Sequence, residues 1–158
     1  MGLDDWQQKL SGISRLEPSN WPIEQLPGLS DEYKTALLGL GFKTTFHLLQ
    51  NGRTAEQRQA IATRLQLHIQ HVNKWVALAN LARVPAVGCK YCGTVLHAGV
   101  ASPQQLAQTD VARLHQQVLN LHVAEFQRKE GCPTVADVSA WINEAKTLTT
   151  SSQSSQRP

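Results

Sequence analysis

Cys89-x-x-Cys92 is the closest pair of cysteines in the chain, and Cys132 completes its three. Structural zinc asks for four ligands, usually two such pairs or one pair with spaced histidines. Cys132 and His97 are the available additions, and neither stands at a finger-like spacing. At a helix start the same spacing serves redox chemistry, because the positive end of the helix dipole lowers the thiol pKa. The strand that precedes such a motif in a thioredoxin-like context is missing. Cys89, Cys92 and Cys132 are therefore weak metal candidates, and thiols buried or half-buried in packing are the expectation. The six histidines suggest a cluster at first glance. His68 and His71 sit three apart, but His68 recurs as His122 at the same point of a repeat, which favours a role at helix starts over ligation. No Ser/His/Asp order, paired carboxylates in a pocket pattern, or Gly-rich phosphate loop followed by Lys-Ser/Thr occurs. The chain reads as non-enzymatic, with no cofactor.

The repeat lies in the backbone-shaping residues. Leu26–Gln50 (LPGLSDEYKTALLGLGFKTTFHLLQ) overlays Val84–Gln108 (VPAVGCKYCGTVLHAGVASPQQLAQ) without a gap. Pro27/Pro85, Tyr33/Tyr91, Leu38/Leu96, Gly41/Gly99, Leu48/Leu106 and Gln50/Gln108 match. Further on, Leu65-Gln66-Leu67-His68-Ile69 answers Leu119-Asn120-Leu121-His122-Val123. An insertion that includes residues 131–134 follows, and Trp75-Val76 with Ala79 then answers Trp141-Ile142 with Ala145. A repeat of this length fixes architecture before anything else.

Each copy predicts the same helical grammar. In the first, Pro22 opens a short helix to Leu26, Pro27-Gly28-Leu29-Ser30 turns, and Ser30 caps a helix to about Leu40 that Gly41 stops. Thr44 or Thr45 caps a short helix through Leu49. Thr54-Ala55-Glu56-Gln57 is a capping box for a helix to about Leu65, and a break at Gln66-Leu67-His68 leads into Ile69–Arg83. In the second, Val84–Gly88 turns, Cys89–Ala98 is helical and Gly99 ends it. Ser102-Pro103-Gln104-Gln105 starts the next helix, and Thr109 caps one from Asp110 to about Leu119. Trp75 and Trp141 are core anchors. The expected fold is all-α: tandem repeats in one compact pseudo-symmetric domain. Residues 1–22 form an N-terminal helix (Leu3 to Leu10) and a loop packed on the body through Trp6, Leu10, Ile13 and Trp21. Residues 23–83 are the first repeat and 84–148 the second. The polar segment 149–158 is a disordered tail.

A chain of 158 residues buries about 70% of its unfolded surface as one domain. No apolar run approaches the roughly 20 residues of a membrane span, and the acidic start MGLDDWQQKL lacks the features of a signal peptide. An odd cysteine count fits a reducing compartment, so the cytoplasm is the expected location. The net charge of +3 is unevenly placed. Lys43, Arg53, Arg58, Arg64 and Lys74 face only Glu56 between residues 43 and 82, a basic middle that suits a polyanion or a solvated helical face.

A short helix, a Pro- or Gly-led turn, a second helix and then Gly-Phe or Gly-Val resemble the helix-hairpin-helix superfamily. More narrowly, LPGL…LLGLGFKTTFHLL, KWVALANLARV, GTVLHAGVASPQQLA and AWINEAKTL resemble an uncharacterised bacterial domain family within it, over about residues 23–148. The resemblance implies a binding module. Hairpins of this superfamily that bind DNA usually read Gly-apolar-Gly, which lets the backbone approach a phosphate beside a helix N-terminus. The first hairpin here keeps Gly28 but has Ser30, Asp31 and Glu32, and carboxylates at a helix start repel phosphate. The second has Ala86, keeps Val87-Gly88 and adds Lys90. Residues for nucleic-acid contact are accordingly Val87, Gly88, Lys90, Gly28, Lys43, Arg53 and Arg58. Protein interaction or self-association is the leading expectation, and sequence-independent DNA backbone binding through the second hairpin is the alternative.

Overall fold

Short polar side chains decide where most of the helices begin. The structure, a computed structural model, describes residues 16–156, with side chains to residue 150. The N-terminal helix expected over Leu3 to Leu10, with Trp6, Leu10 and Ile13, lies outside the described residues. After a 3-10 turn at Ile23–Gln25, Ser30 Oγ accepts from the Tyr33 N–H and opens α1, Asp31–Gly39. Thr44 does the same for α2, Thr45–Asn51. Thr54 and Gln57 form a reciprocal capping box at the start of α3, Ala55–Leu65. His68 Nδ1 accepts from the Gln70 N–H at the start of α4, Ile69–Ala82. The second half continues with α5, Gly88–His97; α6, Pro103–Ala107, capped by Ser102 with Pro103 in its first turn; α7, Val111–Phe126; and α8, Val135–Gln156. Thr134 and Asp137 satisfy each other's backbone N–H groups at the start of α8. The described residues are all-helical, with an isolated antiparallel bridge between Pro22 and Thr44.

Matched sequence positions take matched geometry. Gly41 at φ 90° and Gly99 at φ 100° end α1 and α5 in the left-handed region. In both, the glycine N–H reaches back three residues (Leu38 O, Leu96 O) and the next residue's N–H reaches back five (Leu37 O, Val95 O), a Schellman closure. Tyr33 packs its ring 5.2 Å from Trp75, and Tyr91 packs 5.1 Å from Trp141. Such tilted aromatic pairs contribute about 0.5–1.5 kcal/mol beyond the area they bury. Leu37 and Val95, Leu48 and Leu106, Val72 and Val138, Ala79 and Ala145 are fully buried pair by pair. Helices α2 and α3 pack on α4 as α6 and α7 pack on α8, and α4 against α5 joins the halves.

Three expectations change. Asp110, not Thr109, caps α7: its carboxylate accepts from the Arg113 N–H, while the Thr109 hydroxyl donates to Gln105 O. Helix α7 runs to Phe126 rather than to about Leu119, so His122 lies within a helix and does not start one. The break that the first half makes at Gln66 (φ 56°) falls at Gln127 (φ 57°) in the second. Both glutamines take a left-handed backbone that ends the helix. Helix α8 continues to Gln156, through most of the segment read as a disordered tail. The Thr147 and Thr149 hydroxyls there donate to Asn143 O and Ala145 O one turn back, and no Gly or Pro interrupts the run before Pro158.

Candidate functional site

The second hairpin turns three of its backbone donors, those of Ala86, Val87 and Gly88, into the protein. Its Ala86 N–H donates to Glu144 Oε1 of α8 at 2.8 Å. The Val87 and Gly88 N–H groups both donate to Val84 O at 2.9 Å. Val87 is 1% exposed. Gly88 is buried at φ +54°, and a Cβ there would meet Trp21 Cζ2 at 2.9 Å. The closeness to backbone that glycine permits is used by an indole from this same chain. Trp21 is held at several points: its Nε1–H donates to Ala82 O at 2.7 Å, its N–H donates to Thr45 Oγ1, and its carbonyl accepts from the Thr45 N–H. Lys90 is exposed, with Nζ 5.1 Å from the Tyr91 ring centroid. The Ala86, Val87 and Gly88 N–H groups and the space over Gly88 are thus taken from within the chain, while Lys90 stays exposed one turn on.

The first hairpin keeps an open turn without gaining a donor set. Gly28 is exposed at φ +80° with nothing near its Cβ position. Ser30 is committed to capping α1, and Asp31 and Glu32 stand in the first turn of that helix. On its other side Pro27 packs 3.6 Å from the Gly93 Cβ position on α5, so this turn also serves the contact between halves.

Two of the predicted basic residues do meet. Arg53 and Arg58 line a recess of about 500 Å³ between α2, α3 and α4, together with Arg83, Asn80 and the apolar Phe46, Leu49 and Val76. Lys43 does not line it; its backbone pairs with Ile23 and His47 at the start of α2. Arg83 escaped sequence reading because it closes a helix that otherwise reads as core. Burial lowers the pKa of its guanidinium.

A second recess of about 460 Å³ opens between α5, α7 and the loop after α7, with Tyr91, Val118, Leu121, Phe126 and Pro133 in its wall. Lys90, His97, His122 and Glu125 supply its charge and polarity. It lies where the halves differ. His68 and Trp75 are seven residues apart, His122 and Trp141 nineteen, and the added chain lengthens α7 and makes the loop. Phe126 is 51% exposed at this recess, and Val135 at the start of α8 is 53% exposed.

The thiols point away from reactivity. Cys92 is fully buried and donates weakly to Cys89 O at 3.8 Å. Burial pushes its pKa up to about 12, with the neighbouring Cys89 adding to the rise, and burial pushes Cys89 up to about 11. For Cys92, desolvation outweighs the backbone N–H groups of Gly93 and Cys92 that favour the thiolate. Cys132 is half-buried in the loop after α7. Among the described residues, no group of three or more His, Cys, Asp or Glu side chains is placed to hold a metal ion. No helix among them is long and apolar enough to cross a membrane.

The described residues thus form an all-helical body with a recess in each half, an open first turn and a second turn packed against Trp21. Residues 27–148 match the model of the family described as domain of unknown function DUF4332, and the chain belongs to that family. No curated protein and no solved structure matches it.

Proposed function

We propose that the protein is a non-enzymatic binding module, built on tandem helix-hairpin-helix repeats, that docks another protein through the recess between α5 and α7. One observation carries this reading. The second half departs from the first by an insertion whose product is a recess walled by Tyr91, Val118 and Leu121, with Phe126 standing 51% exposed beside it. A large apolar side chain held out in water costs solvation free energy that a partner's apolar anchor recovers on binding. DNA backbone binding through the second hairpin is less well supported, because Glu144 and Trp21 occupy that turn.

The test is affinity capture from native lysate, with and without nuclease, using the wild-type chain and Phe126→Asp. Support is a protein, or a second copy of this chain, that survives nuclease and is lost with the substitution while helicity and thermal midpoint hold. Capture that disappears with nuclease, or that ignores Phe126→Asp, rejects the proposal.

A further inference from the structure

The recess between α2, α3 and α4 presents an electrostatic imbalance that packing alone does not explain. Arg53, Arg58 and Arg83 converge on one cavity of about 500 Å³, and among the described residues no Asp or Glu lines it. Guanidinium groups stay protonated at any physiological pH, so the described wall carries three positive charges and no negative one. Two of them are held in place by neutral acceptors, which orient a cation without cancelling it. Arg58 donates from Nε to Asn73 Oδ1 at 2.9 Å and from Nη1 to Gly52 O at 2.9 Å and Arg53 O at 3.1 Å. Arg83 donates from Nη1 to Asn80 Oδ1 at 3.0 Å. The helix end that carries Arg83 is itself fastened, since its carbonyl accepts from the Ser19 N–H at 2.8 Å. Arg53 is exposed at the rim, and among the described residues its side chain has no such tether. The remaining wall is of another kind: Phe46, Leu49 and Val76 offer half-buried apolar surface.

From this geometry we infer that the cavity is a binding site for a small phosphate-bearing molecule with a flat apolar part, a nucleoside di- or triphosphate in chemical class. Three guanidiniums match the charge of a polyphosphate and exceed that of a single carboxylate, and the planar fork suits phosphate oxygens. The Phe46 side of the cavity accepts a ring. A volume of about 500 Å³ lies within the usual range of small-ligand sites, about 300–1,000 Å³. Burial lowers the Arg83 pKa, and a bound polyanion favours the charged guanidinium. The site is separate from the α5/α7 recess, so neither proposal stands on the other.

The discriminating experiment is isothermal titration of the full chain at low salt with purine and pyrimidine nucleoside di- and triphosphates, pyrophosphate, inorganic phosphate and a short single-stranded oligonucleotide. Nucleoside polyphosphates should bind, pyrophosphate more weakly. Arg83→Gln and Arg53→Gln should each weaken binding about tenfold or more, as expected for loss of one charge-assisted hydrogen bond. Unliganded Arg83→Gln should melt at or above the wild-type temperature, because it removes a half-buried cation; a purely structural arginine would melt lower. The inference is overturned if nucleoside polyphosphates do not bind at millimolar concentration, if pyrophosphate binds equally well, or if the two substitutions leave binding intact. An oligonucleotide that binds more tightly than any mononucleotide assigns the charge to a nucleic-acid backbone and overturns it as well.

Discussion

Replacing Gly88 by alanine tests the closed second turn directly. The residue sits at φ +54°, and the new methyl carbon would lie 2.9 Å from Trp21 Cζ2. The left-handed backbone alone costs a non-glycine residue about 1–2 kcal/mol. Carbon atoms pack best near about 3.5–4.0 Å, so one of the two groups must yield. The indole resists, because its Nε1–H bond to Ala82 O at 2.7 Å would be strained or lost, and a buried acceptor left unsatisfied costs about 1–3 kcal/mol. The sum is about 2–5 kcal/mol, which for a chain of this size lowers the melting temperature by about 2–4 °C per kcal/mol. Urea unfolding followed by far-UV circular dichroism measures the loss. A double-mutant cycle with Trp21→Leu isolates the clash: once the ring is gone, only the backbone cost of about 1–2 kcal/mol should remain. Equal costs of Gly88→Ala in both backgrounds would refute the claim that the indole fills this turn. A phosphate cradle at Gly88 predicts something else, lost anion binding with little change in stability.

Three shorter predictions follow from the same coordinates. Gln57→Ala removes the side chain that accepts from the N–H groups of Arg53 and Thr54, and should lower stability by about 1 kcal/mol in chemical denaturation. Trp75→Ala and Trp141→Ala, at 2% and 1% exposure, should each cost about 3–5 kcal/mol; a near-neutral result at either would remove it from the core. Thiol labelling of the native protein near pH 8 should modify Cys132 first, Cys89 slowly and Cys92 only on unfolding, given thiol pKa values pushed up to about 11 and about 12 for Cys89 and Cys92. Because the folded state holds these protons more tightly than the unfolded chain, their stabilising contribution is complete below the ordinary thiol pKa and falls as pH rises towards the folded values. Rapid labelling of native Cys92 would contradict its burial.

How much of this was legible depended on the range of the interaction. Ser30, Thr44, Thr54 and Ser102 bond the backbone three residues ahead, and Gly41 and Gly99 close their own helices, so sequence carried those boundaries. Trp75 and Trp141 stood out through the repeat. His122 misled because its neighbours copy those of His68, although the first half turns at Gln66 and the second continues for several more residues before Gln127. Glu144 lies 58 residues from the Ala86 N–H it accepts. Trp21 reaches Gly88 from the far side of α4 in sequence. No local spacing announces either contact, and both decide what the second turn can bind. Arg83 was missed for the same reason: its partners in charge, Arg53 and Arg58, come together with it only after α4 packs on α2 and α3.

The arginine recess also follows from a difference between the halves that one substitution can probe. Arg58 stands four residues after the capping Thr54, and Leu114 stands four after the capping Asp110. Leu114 is fully buried, so at this place the second half fills with an apolar side chain what the first half leaves open and cationic. Arg58→Leu should therefore move the first half towards the packing of the second. Two opposed effects set the outcome. The change removes the bonds to Asn73 Oδ1, Gly52 O and Arg53 O, at about 1 kcal/mol for each, and gains about 1.5–3 kcal/mol if the leucine is buried as Leu114 is. Stability should fall by no more than about 1.5 kcal/mol, while binding of a nucleoside polyphosphate is lost. A destabilisation beyond about 3 kcal/mol, the range of a broken buried ionic network, would make Arg58 a strut for the end of α2, and the cavity beside it a by-product of that support.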